Sequence, residues 1–122
     1  METPKIFESE YRFCLLVWEH EPIAGRELVA LAREKLDWKQ STTYTVIRRL
    51  SDRGVLKNEH SVITSLVSKE QAQQAEIDEL VEKRFEGNLP AFVAAFTRRE
   101  RLSGDQVNQL QALIDAYRKG EG

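Results

Sequence analysis

The chain predicts a mainly α fold, a winged helix-turn-helix followed by a helical second domain, and three features of the sequence carry that prediction. Apolar residues recur at helical spacing in three consecutive segments before Gly54. The pattern then becomes extended over VLKNEHSVITSLV, and from Ser68 onward it is helical again. Three helices and then a hairpin is the element order of a winged helix-turn-helix. The boundaries this implies are residues 1–67 for the winged domain and 68–122 for the helical one.

The first helix is expected from Ser9, a suitable N-cap, to about Glu21. Tyr11, Cys14 and Trp18 form its buried stripe, with Phe13 and Val17 beside them. Pro22 ends it, and Ile23 is a short extended apolar step. A second helix from Gly25 or Arg26 to about Lys35 turns Leu28, Leu31 and Ala32 inward and Arg26, Glu27, Arg33 and Glu34 outward. Asp37 and Trp38 make the turn into a third helix, from about Lys39 to Arg53, and Gly54 supplies the left-handed cap. Val55, Leu56, Val62, Ile63, Leu66 and Val67 read as two short strands around the polar loop Asn58, Glu59, His60 and Ser61.

Ser68 and Gln71 form a capping box that opens a helix from about Lys69 to Phe85, which Gly87 and Asn88 break. The next helix starts by Leu89 with Pro90 in its first turn, where a missing backbone donor does no harm. Ser103 and Gln106 repeat the box before a last helix that carries Val107, Leu110, Leu113, Ile114 and Tyr117. Three helices with no sheet behind them cannot bury this much apolar surface within one chain. Dimerisation is therefore expected through Leu80, Leu89, Phe92, Val93, Phe96, Leu110, Leu113 and Ile114.

Length and composition agree with a small two-part chain. Halves of about 60 residues bury only about 60% of their unfolded surface, so each is marginal alone and fusion or oligomerisation is expected. No stretch of about 18 apolar residues occurs and no charged leader precedes an apolar run, so a cytosolic location without membrane insertion is expected. One cysteine, Cys14, excludes an intrachain disulfide and a cysteine-built zinc knuckle; with two histidines, no metal or other cofactor is expected. His20 and His60 have no acid or thiol at catalytic spacing, so hydrolytic chemistry is not expected.

The formal net charge of −2 hides an uneven distribution. Between Lys39 and Lys57 the basic residues Lys39, Arg48, Arg49, Arg53 and Lys57 are opposed only by Asp52, which gives that window a charge of +4. On a helical projection of the third helix, Thr43, Val46, Ile47 and Leu50 share the buried arc. Ser41, Thr45, Arg48 and Asp52 point the opposite way, flanked by Thr42, Tyr44 and Arg49. Short hydroxyls, a phenol and guanidinium groups are the side chains that read base edges and grip phosphates. A helix in the major groove sets its N-terminal residues nearest the bases, so Ser41, Thr42, Tyr44, Thr45 and Arg48 are the base-edge candidates. Lys39, Arg49, Arg53 and Lys57 are candidates for contacts to the DNA backbone. Thr43 requires a backbone acceptor for its hydroxyl, and Cys14, Trp18 and Trp38 read as packing residues.

These segments carry a resemblance. The run DWKQSTTYTVIRRLSDRGVL resembles the recognition-helix signature of the penicillinase repressor family, winged-helix regulators of β-lactamase and methicillin-resistance genes. ESEYRFCLLVWEHEPIAGRELV is similar to that family's first two helices, and RFEGNLPAFVAAFTRRERLSGDQVNQLQALID to its dimerisation helices. The resemblance spans roughly residues 7 to 117. It implies a homodimeric repressor on an inverted-repeat operator in double-stranded DNA, with Lys39, Thr42, Thr45 and Arg49 on the DNA-facing side and a membrane sensor protease as inducer.

The chain departs from the family pattern in three places. The hairpin loop is short and contains Glu59, where the family has Gly and Arg near the tip. Ala95 and Phe96 stand where some members have a cleaved Asn-Phe bond, so induction by cleavage there is not supported. The terminal cysteine cluster of the copper-responsive branch is missing, which disfavours copper sensing. The acidic overall charge and short wing keep open an alternative, a winged-helix protein-interaction module that does not bind DNA.

Overall fold

The computed structural model describes residues 2–99 and 101–120. The described chain contains α1 (Glu8–His20), β1 (Ile23–Ala24), α2 (Gly25–Leu36), α3 (Gln40–Asp52), β2 (Leu56–Glu59), β3 (Val62–Ser65), α4 (Lys69–Phe85), α5 (Leu89–Arg99) and α6 (Gly104–Gly120). It is mainly helical and has the winged helix-turn-helix order. Two compact units divide it, residues 1–78 and 79–122, and the division falls within α4.

In the first unit, α1 starts one residue before Ser9. The Glu10 carboxylate reaches back to accept the Phe7 N–H at 2.9 Å, which is the half of a capping box that needs no hydroxyl. Asp37 adopts the left-handed conformation (φ 58°) between α2 and α3, and the Trp38 N–H donates to the Ala32 carbonyl at 3.3 Å. Gly54 does the same work after α3 at φ 85°, where a Cβ would be strained. The adjoining Val55 N–H donates to the Leu50 carbonyl at 2.8 Å.

The sheet has three antiparallel strands in the order β1-β3-β2. The hairpin is expected from sequence, whereas β1 reads only as an extended step; Ile23 pairs with Ile63 and Ala24 with Val62. The wing turn is also tighter than the four-residue loop expected. Asn58 and Glu59 remain in β2, and only His60 (φ 55°) and Ser61 (φ 66°) form the turn. Two consecutive left-handed residues match the twist of a two-residue hairpin.

Phe13, Val17, Leu28, Leu50, Val55, Leu56 and Ile63 are the fully buried centre of this unit. The ring of Trp38 stacks on Phe13 with centroids 5.2 Å apart, and the Trp18 Nε1–H donates to the Val67 carbonyl at 2.9 Å, so both indoles serve packing. The Glu21 carboxylate accepts from the Ser65 N–H at 2.7 Å and from its hydroxyl at 2.9 Å, which fixes the end of α1 to β3. Ala72 joins the same core, so the first turns of α4 pack with the winged elements.

Cys14 lies fully buried among these residues. Burial pushes its thiol up to about 12 from 9.0, with the nearby Glu10 carboxylate adding to the shift and Arg53 opposing it. An acid whose pKa is higher in the folded chain contributes stability that is complete below the unfolded value. That contribution is lost as pH rises from about 9 toward about 12. Native protein at pH ~8 is expected to resist alkylation by iodoacetamide and to react fully in denaturant. Cys14→Ala is expected to flatten the alkaline loss of stability; equal alkaline profiles for both chains would refute this.

In the second unit, Phe85 and Phe92 meet edge to face at 5.5 Å across the α4–α5 turn. The Asn88 side chain caps α5 by accepting the Ala91 N–H at 3.0 Å. Both sequence-predicted capping boxes close. Ser68 and Gln71 exchange bonds of 2.8 and 3.0 Å at the start of α4. Ser103 and Gln106 do so at 2.9 and 3.1 Å before α6. None of the residues of α6 is buried. Among the described residues no helix is long and apolar enough to cross a membrane.

Candidate nucleic-acid interface

α3 is held from one side and open on the other. Thr43, Val46, Ile47 and Leu50 are buried, as the helical projection expects. The Thr43 hydroxyl donates to the Lys39 carbonyl at 3.2 Å, so its polar group is satisfied inside the turn. Ser41, Thr42, Tyr44, Arg48 and Arg49 are exposed together with Lys39, while Thr45 is half-buried. No acidic residue occupies the first turn of α3. The positive end of the helix dipole is thus unopposed by its own side chains, which favours an anionic partner.

The five cations of the basic window fall into two groups. Among the described residues, Lys39, Arg48 and Arg49 have no ion-pair partner. Arg53 and Lys57 are used internally. The Arg53 guanidinium binds the Glu10 carboxylate, donates to the Lys5 carbonyl at 2.8 Å and lies over the Phe7 ring, 5.2 Å from its centroid. Glu10 is itself nearly buried at 7% exposure, so Arg53 is committed to neutralising it. The structure thus gives Arg53 an anchoring role inside the chain, beside the phosphate contact expected of it from sequence. The opposing Glu10 lies a domain's length away in sequence, and no local spacing reveals the pair. Lys57 lies 3.5 Å from Glu59 on the same face of β2; both are exposed, so this contact holds it weakly.

The structure places one further exposed cation beside Tyr44 that the helical projection of α3 leaves out. Arg26, exposed at the start of α2, lines the same cleft as Tyr44 of α3 and His60 of the wing turn. Only the third dimension brings these residues together, because they belong to three elements. Among the described residues no group of His, Cys, Asp and Glu is placed to hold a metal ion.

The expected dimerisation residues Leu80, Leu89, Val93, Phe96, Leu110, Leu113 and Ile114 are all more than two-fifths exposed. Phe92 is half-buried against Phe85 of its own chain. Val107 and Tyr117 extend the uncovered apolar surface of α6.

Comparison with known proteins agrees with this architecture. The penicillinase repressor of Bacillus licheniformis is 22% identical over 122 residues, covering 96% of this chain and 94% of that protein. The methicillin resistance regulatory protein MecI of Staphylococcus aureus strain Mu50 is 22% identical over 118 residues, covering 93% and 96%. An uncharacterised 16.5 kDa protein from the ptsI 3′ region of Latilactobacillus sakei reaches 30% over 122 residues, with 93% and 81% covered. Residues 6–116 match the penicillinase repressor family itself, a span from the residue before α1's cap to the last turns of α6. The chain accordingly belongs to the penicillinase repressor family, whose members are DNA-binding transcriptional repressors and not enzymes.

Proposed function

We propose that the chain is a sequence-specific repressor that binds an inverted-repeat operator as a homodimer, in the cytoplasm with the chromosome. Residues 1–67 supply the winged DNA-binding part and residues 68–122 the helical clasp. The observation that carries this reading is the outward face of α3, where Ser41, Thr42, Arg48 and Arg49 stand exposed and the cations lack internal partners. Hydroxyls and guanidinium groups at that end of a groove helix contact base edges, while Lys39 and Arg49 meet phosphates. Lys57 is a weaker phosphate contact because Glu59 accompanies it.

Pairing of two chains follows from the apolar surface of the second unit. Phe96 and Leu113 are 52% and 67% exposed, and α6 buries nothing by itself. Exposed apolar surface of this extent is covered in a stable protein, and a second copy supplies matching surface. A twofold pair with its α3 helices about 34 Å apart reads half-sites one helical turn apart. Release by a membrane sensor protease is not part of this proposal, since Ala95 and Phe96 stand where some family members have the cleaved Asn-Phe bond.

A competing reading, a protein-interaction module without DNA binding, draws on the internal use of Arg53 and the Lys57–Glu59 contact. A mobility shift with fragments of genomic DNA at low and moderate salt, alongside sedimentation of the free chain, separates the two. The repressor reading expects a dimer that retards a subset of fragments with steep salt dependence. A monomer, or no retarded fragment at low salt, would overturn it.

A further inference from the structure

The start of α2, the first half of α3 and the wing turn border an open cleft of about 400 Å³. Arg26, Tyr44, Asn58, His60 and Ser61 line it, with Gly25 between them. No carboxylate lines this cleft. Among the described residues, the side chains of Arg26, Asn58 and His60 have no hydrogen-bond or ion-pair partner, so their donors are uncommitted. The Gly25 N–H donates to the Ser61 carbonyl at 2.8 Å, and this bond holds the wing turn against α2.

The chemistry of the side chains specifies the ligand. A guanidinium, an amide, an imidazole and a phenol belong to the cleft's lining, with one fixed positive charge and no fixed negative one. That set suits a singly charged oxyanion with several acceptor oxygens, as a phosphodiester is. The ring of Tyr44 reinforces the assignment, because its Cε1 would lie 3.7 Å from a Cβ built on Gly25. This turns Tyr44 toward the cleft, although its place on the helix also makes it a base-edge candidate.

We infer that this cleft is a phosphate seat for the DNA strand bordering the groove that α3 occupies, an inference that rests on the repressor reading. Arg26 is its anchoring cation, and Tyr44, Asn58 and His60 donate hydrogen bonds around it. The wing thus contributes to DNA binding through its turn and through α2, even though Lys57 is paired and the loop lacks the basic tip of relatives. Because a phosphate carries no sequence, the seat adds affinity and register without altering which bases are read.

The test uses the full-length chain and one duplex that the wild type retards, with a random duplex of equal length beside it. Arg26→Ala is expected to weaken both duplexes by a similar factor, about five- to tenfold near physiological salt. It should also reduce the slope of log affinity against log salt by about 0.9 for each protomer bound. Arg26→Lys should restore most of the slope, and Arg33→Ala, on the same helix but outside the cleft, should leave it unchanged. An Arg26→Ala chain with wild-type affinity and slope would overturn the phosphate seat while the reading of α3 stands. A wild-type chain that retards no duplex removes both. Arg26 is exposed, and circular dichroism of Arg26→Ala and of Arg26→Gln guards against reading an unfolded variant as a lost contact.

Discussion

The double variant Arg48→Ala, Arg49→Ala is expected to bind its duplex at least about a hundredfold more weakly than the wild type, with its secondary structure and sedimentation unchanged. Both guanidinium groups are exposed and have no ion-pair partner among the described residues, so truncation orphans nothing inside the chain. Ala is also the best helix former, which keeps α3 intact. A guanidinium paired with a guanine edge contributes about 1–3 kcal/mol of discrimination, and one against a phosphate contributes to the salt slope. Loss of both from each protomer exceeds what the remaining hydroxyl contacts can supply. Single variants should divide the effect: Arg48→Ala relaxes the preference for the selected duplex, whereas Arg49→Ala weakens all duplexes alike. Titration by fluorescence anisotropy at two salt concentrations reads both quantities. Unchanged affinity in the double variant would show that DNA binding, if present, uses another face.

Arg53→Ala is expected to have the largest effect on stability of any change in the basic window, about 2–3 kcal/mol, although its charge appears equivalent to its neighbours' in sequence. Removing the guanidinium leaves the Glu10 carboxylate nearly buried without its counter-charge, with the Phe7 N–H as its one remaining donor among the described residues. The Lys5 carbonyl and the face of Phe7 lose their contact at the same time, so the segment before α1 is released from the end of α3. For a unit of this size each kcal/mol moves Tm by about 4–8 °C, so a fall of roughly 10 °C or more is expected by calorimetry. Glu10→Gln combined with Arg53→Met should recover much of the loss, because an uncharged pair removes the orphaned carboxylate. A melting point within about 2 °C of wild type for Arg53→Ala would mean that the pair contributes little and that Arg53 is free for DNA after all.

The capped helices were the most legible part of the fold. Ser68 with Gln71 and Ser103 with Gln106 are local signals, and each closes within one turn without needing anything from the rest of the chain. The third helix was legible for a related reason: Thr43, Val46, Ile47 and Leu50 fall on one arc whatever they pack against. The hairpin is legible but the length of its turn is not, since polarity marks the region of a loop and only backbone pairing shows that Asn58 and Glu59 stay in β2. β1 is visible in sequence only as an extended step, because two residues have no periodicity and their partner β3 lies some forty positions onward. Ala72 marks a similar limit. Ser68 shows where a helix begins, but packing determines that the compact unit continues into α4.

For the candidate interface, the sequence by itself determined the composition of the α3 face, the uncovered apolar residues of the last helices and the resemblance that the family match supports. Periodicity suffices for these, because a helix assigns each residue a direction from its own position alone. Tertiary structure decided which charges are free. It bound Arg53 to Glu10, left Arg48 and Arg49 open, and brought Arg26, Tyr44 and His60 from three elements to one cleft. The physical reason is that a side chain's availability depends on what lies within a few ångströms of it, and those neighbours are separated in the sequence by tens of residues.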